Sequence, residues 1–495
     1  MIRRGRAEGW LKLPISAFRP WAEWNGVSFN GIQIGPMPGF EQRGSTIIAE
    51  RDLADGNEGP LMIVPRDLIL SLESVQTFAK ADQQLKEVLN SLDDFGRTAR
   101  GAILVFLLMQ VTISCPDISE STGVTNPLTE YIKFLPDELL PTLWTEEEQD
   151  LLVGTTLKPA VRAKLNSLLR EYERFRIATK HIDWCKKHWW HGGENNDEDN
   201  EDDDLDANDR ALEQGRLAFE DWMYVDAMYR SRALEFPGIG DCMVPCVDMA
   251  NHSSGEATAA LYETDRDGNG VLLLREGKLI KAKGEITITY GDEKGACEMI
   301  FSYGFIEDSM KSAKVIFLDL DIPHDDPLRA AKIAVTTAAP GFRIFDKGDC
   351  TGWESDFVWL VCVNEEDGLS FKLAQTIDGE TELKSFWMDG DLEDTSKLRD
   401  LLQTHALWDV YQLRAVSLLQ NRIEAQLQAL NETDHGERNA TIREIPWMLA
   451  DRLRNLEMEL LERAYSDLED QKLVLLQSES VRRYLGIAGE EEDFT

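Results

Sequence analysis

The stretch PCVDMANHSSG, residues 245–255, and the stretch GEITITYGDEKGACEMIFSYGF, residues 284–305, decide the fold of this chain. In the first stretch, Asn251 and His252 adjoin small residues, so a ligand can come close to their side chains and backbone. Taken alone, Asn-His-Ser is also an ordinary turn sequence. The role of this stretch can therefore be judged only together with the other motifs of the chain.

The second stretch carries two tyrosines that each precede a glycine, Tyr290 and Tyr303. Either one could be a core tyrosine whose hydroxyl finds a hydrogen-bond partner. Around both stretches, residues 240–306 are strand-like with glycine-punctuated turns. The order of the motifs therefore carries more information than any one of them.

The rest of the chain alternates between strand-like and helical regions. Residues 27–72 are typical of short strands and turns, and residues 75–190 show helical spacing of apolar side chains. After about residue 395 the chain is typical of long amphipathic helices. A β-rich part split by a helical region and followed by helices predicts an α+β fold.

In order, ANHSS, ITYGD and SYGF resemble the C-terminal half of the SET domain, the fold of protein-lysine methyltransferases that use S-adenosylmethionine. QRGSTIIAERDL, residues 42–53, is similar to the first cofactor-binding loop of that fold, with Gln-Arg-Gly-Ser in place of the usual Gly-x-Gly. YRSRALEF, residues 229–236, and residues 135–155 are similar to segments of the Rubisco large-subunit methyltransferase-like branch. That branch has a helical insertion in its SET domain and a helical substrate-binding domain at its C-terminus.

The resemblance implies a division of the chain into four parts. The β-rich SET domain would comprise residues 20–90 and 216–310, interrupted by a helical insertion at 91–215. Residues 311–495 would form the all-α substrate-binding domain. At 56.1 kDa the chain is long enough for several domains.

The resemblance also implies which residues bind the cofactor S-adenosyl-L-methionine: Arg43, Gly44, Ser45, Arg232, Asn251 and His252. The first three would line its methionine end through backbone groups. Arg232 would lie against the cofactor and near the acceptor channel. Asn251 and His252 would hydrogen-bond its adenine and amino-acid portions.

On the acceptor side, the resemblance implies five substrate-binding residues: Arg232, Asp248, Tyr262, Tyr290 and Tyr303. Tyr303 would lie at the point of methyl transfer and be the catalytic residue. Methyl transfer from a sulfonium is an in-line displacement, so the protein must mainly align the amine and exclude water. A lysine must lose its proton first, and a narrow apolar channel beside a cation favours the neutral amine.

The resemblance thus predicts a protein-lysine N-methyltransferase that acts on a protein substrate. Two alternatives stay open: a SET-fold interaction module without turnover, and a protein-histidine methyltransferase. The candidate substrates include lysine-rich proteins such as ribosomal proteins and histones. We expect a monomer.

The chain carries 90 Asp and Glu against 52 Lys and Arg, a formal net charge of −38. This excess argues against direct nucleic-acid binding, which needs basic surface. Residues 194–209, ENNDEDNEDDDLDAND, contribute ten carboxylates and predict a disordered surface loop. That loop is either a solvated linker or an attractor of a lysine-rich partner.

The longest apolar run, Ala102 to Met109, is far shorter than the roughly 20 residues of a membrane-spanning helix, so it predicts a buried helix or strand. The N-terminus lacks the pattern of a secretory signal, and its early arginines leave an organelle address as a minor alternative. Seven scattered cysteines are typical of reduced thiols. We therefore expect a cytoplasmic or nuclear protein, without a membrane partner.

Two metal-binding patterns have simpler interpretations. Residues 265–276 match the EF-hand calcium loop, but strand-like flanks favour a hairpin turn. His181, Cys185 and His188, with His191 beyond, could share one helix face, yet no fourth zinc ligand is indicated. We predict no metal site.

Overall fold

The computed structural model describes residues 1–37, 44–54, 59–118, 126–137, 139–190, 217–375, 381–433 and 438–487. The chain divides into two units. The first comprises Met1–Trp144, Val161–Asp292 and Phe301–Gly304. The second comprises Thr145–Ala160, Glu293–Ile300 and Phe305–Thr495.

The α-helices of the described residues are α1 (Ile2–Glu8), α2 (Phe18–Trp24), α3 (Leu72–Ala81), α4 (Gln83–Ser91), α5 (Ala99–Ile113), α6 (Pro127–Phe134), α7 (Glu146–Asp150), α8 (Leu157–Thr179), α9 (Asp183–Cys185), α10 (Phe219–Arg232), α11 (Ala296–Tyr303), α12 (Arg329–Val335), α13 (Asp356–Cys362), α14 (Leu398–Gln403), α15 (Trp408–Glu432), α16 (Glu444–Leu475) and α17 (Glu479–Tyr484). A π-helical turn, Lys186–Trp190, follows α9.

The strands are β1 (Ser28–Phe29), β2 (Ile32–Pro36), β3 (Ser45–Ala49), β4 (Leu53–Ala54), β5 (Met62–Val64), β6 (Leu234–Phe236), β7 (Gly240–Cys242), β8 (Ala260–Thr264), β9 (Gly270–Leu274), β10 (Leu279–Ile280), β11 (Val315–Asp319), β12 (Gly341–Asp346), β13 (Thr351–Glu354), β14 (Leu369–Gln375), β15 (Thr381–Trp387) and β16 (Gly390–Leu392).

Helix α5 lies at the centre of the first unit. All twelve residues from Gly101 to Thr112 are buried, and the helix packs against α3, α4, α6 and α10. Its N-terminus is capped by Thr98, whose Oγ1 accepts from the Gly101 amide at 3.0 Å. The apolar run of the sequence is therefore a buried helix, because it has neighbours on every face.

The first unit surrounds α5 with small antiparallel sheets. One has four strands in the order β1-β5-β9-β8, and the others are the pairs β2-β3, β4-β10 and β6-β7. These strands lie within the regions where the sequence predicted strands, except β6 at Leu234–Phe236, which precedes the predicted strand region 240–306. The short strands leave long connecting segments, and these segments carry the candidate site.

The second unit is built on α15 and α16, which pack along each other. Two three-stranded antiparallel sheets accompany them, β11-β12-β13 and β14-β15-β16. The predicted α+β class and the helical C-terminal region are confirmed. The six strands between residues 315 and 392 differ from the all-α expectation for this part.

Strand β11 illustrates how the strands of this region are buried. In β11, Ile316 and Leu318 are buried while Phe317 between them is 43% exposed, which is the period-2 pattern of a half-buried strand. The long helices that follow have a much stronger periodic signal and dominated the sequence interpretation.

The acidic run 194–209 lies outside the described residues, and the predicted boundaries of the SET parts and the insertion stay predictions. Within the part of the chain that is described, no helix is long and apolar enough to cross a membrane.

Candidate active site

One extended segment, residues 283–290, brings distant parts of the first unit together. On one side, the Ile286 amide donates to the Ile47 carbonyl of β3 at 2.9 Å. On the other, the Ile288 amide donates to the Asn251 carbonyl at 3.0 Å. Because the segment bonds on both sides, β3 and the Asn-His stretch meet at one place despite their separation in sequence.

The side chain of Asn251 is held by a carboxylate. Its Nδ2 donates to Glu285 Oε1 at 2.8 Å, and the same oxygen accepts from Thr46 Oγ1 at 2.7 Å. Thr46 is only 1% exposed. The hydrogen bonds tie the loop residue Asn251 to β3 through one acceptor.

His252 packs against Tyr290. Its Nδ1 accepts from the Tyr290 amide at 2.9 Å, so the neutral imidazole carries its proton on Nε2. The two rings stack with centroids 5.2 Å apart. The Tyr290 hydroxyl donates to the Ala250 carbonyl at 2.7 Å, which fixes the backbone just before Asn251.

The three predicted tyrosines converge. Tyr303 ends α11, and its ring centroid lies 4.5 Å from that of Tyr290. Burial, and then the nearby Tyr303, raise the pKa of Tyr262 on β8. Gly304 follows at φ +75°, a left-handed conformation that glycine adopts without strain. The chain can thus turn away directly after Tyr303.

Arg232 and Asp248 lie together beside α6. Arg232 Nη1 donates to the Asp248 carbonyl at 2.9 Å, and the Tyr131 hydroxyl donates to the Asp248 carboxyl. Burial raises the pKa of Asp248 to about 6, although the positive charge of Arg232 works in the opposite direction. This carboxyl therefore titrates close to neutral pH.

The predicted first cofactor loop is described only in part. Arg43 lies outside the described residues. Gly44 has φ +78°, and no atom of the described residues lies within 4 Å of where its Cβ would stand. Ser45 begins β3 and pairs with Pro36. The contacts that the resemblance assigned to these residues stay predictions.

Comparison with known proteins gives matches to SET-domain proteins. Residues 238–325 match the family described as Ctm1, cytochrome c lysine N-methyltransferase 1. SET domain-containing protein 8 of Schizosaccharomyces pombe is 27% identical over 315 residues, which are 61% of this chain and 63% of that protein. The actin-histidine N-methyltransferase of Danio rerio is 22% identical over 466 residues, 91% of this chain and 67% of that protein. The chain thus matches less than two thirds of the length of the first of these relatives.

A solved structure agrees over almost the whole chain. The SET domain of LSMT bound to MeLysine and AdoHcy gives a TM-score of 0.61 at 18% identity, with 97% of this chain and 98% of that chain covered. The chain has the SET fold. The fold that the resemblance implied is confirmed.

The SET fold of this chain also brings in residues that the sequence interpretation missed: Thr46, Tyr131 and Glu285. A signal existed for Glu285, because it shares the polar face of an alternating segment with Thr287, while Ile286 and Ile288 are buried. Tyr131 had no such signal. It lies on α6, far along the chain from Asp248, and only the tertiary fold of the SET protein brings the two together.

The calcium-like sequence of this SET protein is a hairpin, as predicted. Strands β8 and β9 flank it, and Asp265 Oδ1 accepts from the backbone amides of Asp267 and Asn269, each at 2.9 Å. Acidic and amide side chains at these positions therefore stabilise a turn.

The histidine and cysteine pattern near residue 185 belongs to a packed helix end. Cys185 and Trp189 are fully buried, and the His188 ring lies 5.1 Å from the ring of Trp184. His191 is outside the described range. Among the described residues, no group of three or more His, Cys, Asp and Glu side chains is arranged to hold a metal ion.

The raised pKa of Asp248 predicts a pH dependence of stability. An unfolded aspartate titrates near 3.8 and the folded one near 6, so folding favours the protonated carboxyl. The resulting stability is full below about pH 4 and falls as the pH rises through 6, by about 3 kcal/mol in all. Asp248→Asn removes this dependence.

We expect the free energy of unfolding of the wild type, relative to Asp248→Asn, to fall by about 1 kcal/mol between pH 5 and 7.5. Urea unfolding at several pH values measures it. A difference between the two proteins that stays constant over this range would contradict the prediction.

Proposed function

We propose that this SET protein transfers a methyl group from S-adenosyl-L-methionine to a lysine side chain of a protein. The observation that carries the proposal is the convergence of Asn251, His252, Tyr290 and Tyr303 around residues 283–290 of one unit. The family match to a cytochrome c lysine N-methyltransferase and the LSMT fold support it. The family match, to residues 238–325, includes all four of these residues.

The residues present suit the proposed cofactor, which supplies an electrophilic methyl group on a sulfonium. None of the described residues fills the space where a side chain of residue 44 would stand, and Gly44 itself has none, so a ligand can approach the backbone. Arg232 offers a cation suited to the carboxylate of the amino-acid portion. Asn251 and His252 would hold the adenine and amino-acid portions, as the resemblance implies.

The acceptor-side residues would act by alignment. A lysine amine is nucleophilic only when neutral, and in water its pKa is about 10.4. Half-buried tyrosines beside a cation disfavour the ammonium form and can orient the lone pair of the amine through hydrogen bonds. No strong base is needed, because the main tasks are positioning and exclusion of water.

We propose a basic protein as substrate, docked by the helical C-terminal region. The net charge of −38 supports this partner, because opposite charges raise the association rate. The same charge disfavours direct nucleic-acid binding. All seven cysteines are free thiols, which supports a location in the cytoplasm or nucleus.

The test is to incubate a cell extract with the purified protein and labelled S-adenosylmethionine, then to sequence the labelled band by mass spectrometry. We expect label on lysine. Label on histidine would favour the alternative that the Danio rerio relative suggests. Cofactor binding without any labelled protein would favour an interaction module without turnover.

Cofactor binding gives a second prediction. Asn251→Ala and His252→Ala should each raise the Kd for S-adenosylmethionine by about tenfold or more, because each loses hydrogen bonds at the site. Isothermal titration calorimetry measures the affinity. Asn90→Ala and His324→Ala, at exposed positions, are matched controls. Unchanged affinity in both site variants would contradict the proposed function.

A further inference from the structure

Glu285 occupies a position that no assigned role explains. Its Oε1 accepts from Asn251 Nδ2 at 2.8 Å and from Thr46 Oγ1 at 2.7 Å. These three side chains come from a loop, from β3 and from the segment between them. Glu285 is therefore where the two parts of the candidate cofactor site are joined by side chains.

The backbone around Glu285 is fixed on the side of β3. Glu285 pairs with Ile48 in an antiparallel bridge, and the next residue, Ile286, donates to the Ile47 carbonyl at 2.9 Å. The Asn251 carbonyl is in turn held by the Ile288 amide at 3.0 Å. Because donor and acceptor both sit on bonded backbone, the hydrogen bond between them orders little additional chain.

A carboxylate can only accept hydrogen bonds, whereas an asparagine amide has one donating and one accepting end. Glu285 therefore selects one of the two orientations of the Asn251 amide. The Nδ2 group faces Glu285, and Oδ1 is left as the acceptor on the other end. A flipped amide would bring two acceptors together at under 3 Å, which is strongly unfavourable.

We propose that Glu285 is a positioning residue that orients the Asn251 amide so that its oxygen accepts from the ammonium group of the amino-acid portion of the cofactor. An ammonium carries only donors, so it requires an acceptor at this place. The inference rests on the proposed function and adds to it a residue that need not touch the cofactor. It requires that the effect of Glu285 depend on the amino-acid portion of the ligand.

The test compares two nucleosides in titration calorimetry. S-adenosylhomocysteine carries the amino-acid portion, and 5′-methylthioadenosine lacks it. We expect Glu285→Ala to raise the Kd for S-adenosylhomocysteine about tenfold. The Kd for 5′-methylthioadenosine should stay within about twofold of wild type. Glu285→Gln should restore the affinity for S-adenosylhomocysteine, since its amide oxygen can still accept from both Asn251 Nδ2 and Thr46 Oγ1.

Controls separate this role from a structural one. Glu263→Ala, at an exposed position of β8, should change neither affinity. The double variant Asn251→Ala/Glu285→Ala should bind no worse than Asn251→Ala alone, because the two residues act through one contact. If Glu285→Ala fails to fold, Thr46→Val removes the second donor to the carboxylate and can be tested instead. It should raise the Kd for S-adenosylhomocysteine about threefold and leave the Kd for 5′-methylthioadenosine unchanged.

Equal losses for the two nucleosides, or no loss for S-adenosylhomocysteine, would overturn the role of Glu285 and leave the proposed function standing. A wild-type protein that binds neither nucleoside would overturn the proposed function and this inference with it.

Discussion

Replacing Tyr303 by phenylalanine is expected to lower the rate of methyl transfer by on the order of 100-fold, while the affinity for S-adenosylmethionine changes little. The ring of Tyr303 packs 4.5 Å from Tyr290, and phenylalanine keeps that packing. Only the hydroxyl is lost, and in the proposed mechanism that hydroxyl orients the acceptor amine. Single-turnover kinetics with the identified substrate measures the rate, and calorimetry measures the affinity.

Tyr290→Phe is the matched control for this experiment. The Tyr290 hydroxyl bonds the Ala250 carbonyl, beside Asn251 and His252, so its loss should weaken cofactor binding more than transfer. Tyr303→Phe should therefore lower mainly the rate of transfer, and Tyr290→Phe mainly the affinity for the cofactor. Full activity of Tyr303→Phe would remove Tyr303 from the proposed catalytic role.

The second large effect concerns stability. Asp226 on α10 is fully buried and pairs with three cations: Arg100 at 2.6 Å, Lys164 at 2.9 Å and Arg230 at 3.3 Å. Burial opposes its ionisation, yet Lys164, Arg230 and Arg100 together hold the pKa of Asp226 below its usual value. Asp226→Asn leaves these cations without their common partner. We expect the free energy of unfolding to fall by about 3 kcal/mol.

Urea unfolding at pH 7 measures this loss, with Asp94→Asn, at an exposed aspartate, as a control that should unfold like the wild type. A lowered pKa means that the contribution of Asp226 is present at neutral pH and is lost as the pH falls through its folded value. Stability of Asp226→Asn equal to wild type would contradict the role of the cluster.

The cluster also bears on the candidate site. Arg230 donates to the Phe301 carbonyl at 2.7 Å and to Thr142 Oγ1 at 2.8 Å. Phe301 lies two residues before Tyr303. Asp226→Asn should therefore disturb the end of α11 as well, and lower transfer at temperatures where the protein is still folded.

Much of the candidate site could be predicted because its residues lie in short local motifs. Asn251, His252, Tyr290 and Tyr303 converge in the structure, although the cofactor and substrate roles assigned to them stay predictions. Their motifs are recognisable in sequence because a turn or a strand end at each requires particular neighbours, such as the glycine after Tyr303. The strands between residues 315 and 392 lacked such markers.

The partners of these residues were not predictable in the same way. Tyr131 and Thr46 reach Asp248 and Glu285 only through contacts between segments more than one hundred residues apart. Nothing in the local pattern of α6 indicates that one tyrosine faces a carboxylate of another segment. Such pairings depend on how the segments pack.

The sequence by itself indicated the SET fold through the resemblance of its motifs. It also determined the buried run that becomes α5 and the long C-terminal helices, because hydrophobic periodicity and turn chemistry are local properties of the chain. Only the tertiary structure decided which groups face one another: Glu285 against Asn251, Tyr131 against Asp248, and three cations around Asp226. The orientation of an amide and the pKa of a buried carboxyl depend on neighbours that are distant in sequence. The packing of residues 283–290 between β3 and the Asn-His stretch therefore determines which side chains of the site interact.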